Sequence, residues 1–216
     1  MPHGGRRPNS YDRRAPKREP YDVVLIVCEG SKSEPTYFRS LLKAYRLSNA
    51  NIHVMSAIGS DPMSIVKFAE KEMARQPNEY DRAFCVFDRN GHTNYDAALT
   101  RIARSPHGRT GKLKAITSWP CFEIWLLLHF RYSTGPFNRA GSESSCDRAI
   151  KELLTFLPEY TKGRQTIFDE LASQMATAIT NAKRLHTHNS RCRSTNPSTR
   201  IHTLVEYLIK IKRSVE

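Results

Sequence analysis

Residues 23–30 read Val23-Val24-Leu25-Ile26-Val27-Cys28-Glu29-Gly30, and this stretch decides the fold. Six consecutive apolar residues, rich in β-branched side chains and without polar alternation, describe a strand buried on both faces. The run stops on an acid and a glycine. Ala83-Phe84-Cys85-Val86-Phe87-Asp88 repeats the pattern, five apolar residues and then an acid. A helix starting near Glu34-Pro35 follows the first strand, with Tyr37, Leu41 and Tyr45 on one face and Phe38 and Leu42 beside them. A short strand is expected over 52–55. Asp61-Pro62 then reads as an N-cap followed by proline at the first helical position, with Val66, Ala69 and Met73 as that helix's apolar face.

Working outward, the pattern predicts a helix over 94–103, a fourth strand over 112–117 and an apolar helix over 122–130. Buried strands alternating with amphipathic helices imply an α/β fold, a Rossmann-like, mainly parallel sheet flanked by helices. Beyond residue 131 only helices are expected, over 146–157, 167–186 and 197–211, with a polar loop at 187–196. The chain is thus read as a basic arm without fixed structure over 1–20 and a single domain over 21–216, whose helical C-terminal extension spans about 142–216.

The 216 residues carry 34 Lys and Arg against 21 Asp and Glu, a formal charge of +13. That balance disfavours a calcium buffer and points to a polyanionic partner, either nucleic acid (DNA or RNA) or an anionic membrane surface. The excess is uneven: residues 1–20 are net +4, 181–216 net +6, and 21–180 only +3. An acidic active site in the centre is therefore compatible with the total. No apolar run approaches the ~20 residues of a membrane span, and residues 1–20 lack the apolar segment of a secretory signal. A membrane role is not expected. Five cysteines without a CxxC pair argue against a disulfide framework or zinc ribbon and for a cytoplasmic protein.

In open α/β sheets, ligands bind beyond the carboxyl ends of the strands. Glu29 and Asp88 each end a buried strand, and neighbouring strands lie only ~4.8 Å apart. A carboxylate pair there suits a hard cation such as magnesium or manganese. Gly30-Ser31-Lys32-Ser33 superficially resembles the end of a phosphate-binding P-loop, but Leu25 to Cys28 supply no upstream glycine. His92 is a candidate ligand or general base, or an exposed loop histidine. Lys32 and Arg89 are candidate phosphate contacts; so are Lys183, Arg191 and Arg193 before the last helix. His129 reads as a core histidine, and Trp119 and Trp125 as packing.

Taken together, Val27-Cys28-Glu29-Gly30, Glu34-Pro35-x-Tyr37-Phe38, Val86-Phe87-Asp88-Arg89, the block from Pro120-Cys121-Phe122-Glu123 through Trp125 to His129-Phe130, and Asn196-Pro197-Ser198-Thr199 resemble the RloB-like (AbiLii-like) family. The resemblance implies a Toprim-type domain, magnesium-dependent nuclease chemistry, a place in phage defence and an ATPase partner. It implies that Glu29 and Asp88 hold the metal, with Glu29 doubling as general acid or base. The second acid of the Toprim Asp-x-Asp pair falls on Asn90, whose carbonyl can ligate but brings no charge. Glu123 is the acid expected to compensate, although an acid at a helix start also satisfies the helix dipole. A non-catalytic nucleic-acid-binding or adaptor subunit is the alternative that Asn90 raises. A homo-oligomer is compatible with either reading.

Overall fold

The computed structural model describes residues 20–57, 59, 61–75, 79–89 and 91–211. The N-terminal basic arm and Asn90 lie outside the described residues. Among those described, a five-stranded sheet has the order β2-β1-β3-β4-β5. Its strands are β1 (Val24–Cys28), β2 (Ile52–Ser56), β3 (Arg82–Asp88), β4 (Leu113–Trp119) and β5 (Ser198–Thr199). The first four run parallel, and β5 lies antiparallel to β4. The fold is α/β, as the buried runs require.

Alternation along the central strands builds two cores. Val24, Ile26, Cys28, Phe84, Val86 and Ile116 point to one face. There they meet α1 (Ser33–Ala44) through Tyr37, Phe38, Leu41 and Leu42, and the whole helical extension. Leu25, Val27, Cys85 and Phe87 point to the other. That face is covered by α2 (Pro62–Arg75) and α3 (Tyr95–Arg104). A strand covered on both sides cannot afford polar residues, which explains the unbroken apolar runs.

The crossover after β1 leads to β2 on one side, while β3 lies on the other. The carboxyl ends of β1 and β3 therefore flank the topological switch point, where this class of sheet opens a crevice. Glu29 follows β1 and Asp88 ends β3, so both acids stand there.

After β3 come α3 and the short α4 (Pro106–Arg109), and after β4 comes α5 (Glu123–Leu127), only five residues of α-helix continued by turns to residue 130. Trp125 is fully buried between the sheet and the extension; its replacement by alanine would cost about 3–5 kcal/mol. His129 is buried as expected: its Nδ1 donates to the Trp125 carbonyl at 3.0 Å, and burial pulls its pKa down to about 4.

The extension departs from the sequence reading in four places. The helix expected over 146–157 is α6 (Ser145–Leu153), started by a Ser144–Asp147 capping box. The helix expected over 167–186 is broken into α7 (Ile167–Leu171), a 3₁₀ turn and α8 (Met175–Cys192). Helix α8 runs on through most of the expected loop at 187–196. Its last turns bury only Asn189, which donates to the Pro197 carbonyl at 2.8 Å, so polarity concealed a helix packed by one position per turn. Finally, Asn196-Pro197 does not start the last helix. Ser198 and Thr199 pair with β4 first, and Thr199 Oγ1 accepts the Ile201 amide to begin α9 (Ile201–Ile211). Among the described residues no helix is long and apolar enough to cross a membrane.

Candidate functional site

Beyond the β1 and β3 ends lies a cavity of about 330 Å³. Four carboxylates line it, Glu29, Glu34, Asp88 and Glu123, with Lys32 and Lys162. Each acid arrives by a different route. Glu29 leaves β1 while its amide still bonds the Val86 carbonyl at 3.0 Å, so it stays in sheet register. Its Oε2 accepts the Asp88 amide at 2.8 Å, and its Oε1 lies 2.8 Å from His92 Nε2. Asp88 Oδ2 accepts the Phe122 amide at 3.1 Å, which ties the end of β3 to the approach to α5. Glu123 opens α5 and Glu34 stands in the first turn of α1, both buried.

The structure thus brings together Glu29, Asp88, His92 and Glu123, all expected from the sequence, around one crevice. The sequence marks Glu34 only as a helix start, although its spacing five residues past Glu29 keeps it near the same strand end. Tyr160 and Lys162 carried no signal at all. They come from the loop between α6 and α7, which folds over the mouth of α1. Tyr160 donates to Glu123 Oε1 at 3.0 Å, 37 residues away in sequence, and Lys162 Nζ lies 3.8 Å from the same oxygen. Gly163 seats the loop: its amide donates to Ser33 Oγ at 3.2 Å. Its φ of +85° favours glycine, and a Cβ there would sit 3.0 Å from Lys32 Cβ, tighter than an ordinary contact.

Four acids in one cavity repel each other's charge. Burial, then Glu34, Glu123 and Glu29, hold the Asp88 carboxyl well above the carboxylate range, against the Phe122 amide that lowers it. Glu34 is pushed up to about 7, by burial first and then by Glu123 and Glu29; its own backbone amide and Lys162 oppose the rise. The cluster is short of positive charge, and its oxygen donors suit a hard divalent cation.

The remaining candidates are basic, and only Lys32 joins the carboxylates. Lys32 lines the cavity, exposed at the rim. Arg89 lies over the Trp119 ring, its Cζ 3.9 Å from the centroid, and reaches Tyr95 at 5.2 Å, so Trp119 carries a cation rather than plain packing. Lys183 pairs with Glu206 at 2.7 Å, and Arg191 and Arg193 are exposed at the end of α8. None of these three lines the cavity.

Against the expectation from the cysteine count, Cys121 and Cys146 are joined by a disulfide, while Cys28, Cys85 and Cys192 are free. It links the residues before α5 to α6, beside Glu123. Ligand atoms of Cys121, Glu123 and Cys146 all lie within 4.8 Å of one another, a buried cluster compatible with a metal site.

The family model described as RloB-like protein matches residues 24–208, most of the chain, and the chain belongs to the RloB-like family. No curated protein and no solved structure matches it.

Proposed function

We propose that this chain is a divalent-metal-dependent, Toprim-like nuclease that cleaves phosphodiester bonds of DNA or RNA, acting in phage defence. The observation that carries this reading is the convergence of Glu29, Glu34, Asp88 and Glu123 on one crevice at the switch point of a parallel sheet. Those four residues would hold a magnesium or manganese ion. When bound, the ion would neutralise the acids and stabilise negative charge developing on a phosphate oxygen.

The chain's own residues account for the rest. Lys32 and Lys162 stand at the rim of an acidic cavity, where they can draw in a phosphate that the carboxylates alone would repel. His92 is oriented by Glu29 and is half-buried, so it can take a proton from an attacking water at the crevice edge. The Phe122 amide aims Asp88, and Tyr160, kept protonated by burial, aims Glu123.

The test is cleavage of plasmid, single-stranded DNA and transfer RNA by the purified protein, with magnesium or manganese and with a chelator. Glu29→Gln and Asp88→Ala should each lose at least ~10³-fold in rate while keeping the far-ultraviolet dichroism of the parent. Cleavage that survives both substitutions would refute the site. A second reading, a non-catalytic nucleic-acid-binding or adaptor subunit for an ATPase, is favoured by the neutral Asn90 two residues after Asp88. Under that reading the parent protein cuts nothing, and Asn90→Asp would create activity.

A further inference from the structure

We propose that Cys121, Glu123 and Cys146 form a redox-gated zinc site, which binds Zn²⁺ when the two cysteines are reduced and releases it when they form their disulfide. The two sulfurs and the carboxylate are buried, and their ligand atoms lie within 4.8 Å of one another. Glu123 Oε2 is 3.8 Å from Cys146 Sγ. Tetrahedral zinc, with bonds of about 2.3 Å to sulfur and 2.0 Å to oxygen, holds such a pair about 3.5 Å apart. Reduction replaces the covalent contact between the sulfurs by a non-bonded one, close to the ~3.8 Å between two zinc-bound thiolates. Little movement of α5 or α6 is therefore required.

The surroundings favour the same ion. Two thiolates and one carboxylate carry three negative charges against the two of zinc. Lys162 Nζ, 3.9 Å from Cys146 Sγ and 3.8 Å from Glu123 Oε1, offsets the remainder. Tyr160 donates to Glu123 Oε1, leaving Oε2 turned toward the sulfur, so it serves as the outer partner that orients a ligating group. Sulfur ligands select zinc over magnesium, so the site is chemically distinct from the carboxylate set although the two share Glu123. Of the three ligands only Glu123 lines the open cavity, so the fourth position would fall to a water that reaches the ion from that side.

The gating step is thiol–disulfide exchange with a small disulfide such as oxidised glutathione. The two zinc-bound thiolates lose two electrons and form the Cys121–Cys146 bond. The glutathione S–S bond accepts those electrons and breaks into two glutathione thiolates, and Zn²⁺ leaves unchanged. The inference does not depend on phosphodiester cleavage.

The test uses the full chain, reduced with a phosphine, loaded with Zn²⁺ and desalted. One equivalent of zinc is expected by elemental analysis. Cys121→Ser and Cys146→Ser should each weaken zinc binding at least about tenfold, whereas Cys192→Ser should leave it unchanged. Titration with oxidised glutathione should release zinc in step with the loss of two thiols. Should the serine variants misfold, the wild-type protein still decides the matter. Zinc must then protect Cys121 and Cys146 from alkylation, as read by mass spectrometry. A pair that stays oxidised under excess phosphine, that takes up no zinc once reduced, or that is alkylated equally fast with and without zinc overturns the inference.

Discussion

Glu34 shows at the scale of one residue what crowding acids costs. Its pKa of about 7 lies above the ~4.3 of an unfolded glutamate. Between those values the native protein keeps a proton that the unfolded chain releases. The stability linked to that proton is complete below about pH 4.3 and is lost as pH rises through 7. Glu34 is 8% exposed, so solvent screens little of the effect. Glu34→Gln removes the titration. Its stability relative to wild type should improve between pH 5 and pH 8 by on the order of 3 kcal/mol, measured by urea unfolding without divalent cations. Buried His129 and His202, both held near 4, act with the opposite sign. Their contribution is intact above about pH 6.5 and lost as pH falls toward 4. The wild-type curve alone mixes these effects, whereas the difference from Glu34→Gln leaves out the histidines and reports Glu34 together with the Asp88 carboxyl that its charge raises. An unchanged difference across the pH range would show that the Glu34 proton is not retained. Added magnesium should shrink the gap at pH 8, because a bound cation favours the ionised carboxylates.

Among the elements, the loop from α6 to α7 separates what was legible in the sequence from what was not. Glu29 and Asp88 could be read because a buried parallel strand announces itself as an apolar run, and its end marks the ligand side of the sheet. The same logic reached Glu123 only through the family resemblance. Tyr160 and Lys162 reach the cavity because the helical extension packs on α1, and no periodicity records which helix docks where. The polar stretch 187–196 hides the end of α8 for the same reason, since the packing of Asn189 is visible only in three dimensions. Two substitutions in the α6–α7 loop should therefore behave differently. Gly163→Ala forces a positive φ and a clash with Lys32. It should cost more than about 1 kcal/mol and speed proteolysis between α6 and α7. Lys162→Ala, at a side chain 56% exposed, should stay within about 0.5 kcal/mol in stability while weakening nucleic-acid binding. Equal losses of stability in both would mean that Lys162 is a structural brace.

At the scale of the molecule, the formal charge is +13, yet the crevice is lined by four carboxylates and only two lysines. Affinity for a polyanion should therefore come chiefly from cations outside the cavity, with Lys32 and Lys162 adding a share at its rim, and the salt dependence of binding counts them. Arg191 and Arg193 are exposed at the end of α8, whereas Lys183, on the same helix, is already paired with Glu206 at 2.7 Å. A cation held by a carboxylate displaces fewer counterions from a phosphate backbone than an unpaired one. Replacing Arg191 and Arg193 by alanine together should reduce the slope of log affinity against log salt by up to about 1.8 on duplex DNA, with the same loss for every sequence tested. Lys183→Ala should change that slope by less than half as much as either arginine. Fluorescence anisotropy between 50 and 200 mM salt, on duplex and single-stranded probes, measures all three variants. Glu29→Gln belongs in the same series: it removes a carboxylate from the crevice without touching the outer cations. It should leave the slope unchanged even where it abolishes cleavage, because binding and chemistry reside in different charges. A slope that follows Glu29 and ignores the two arginines would place the polyanion on the crevice alone and give the basic C-terminal region no part in holding it.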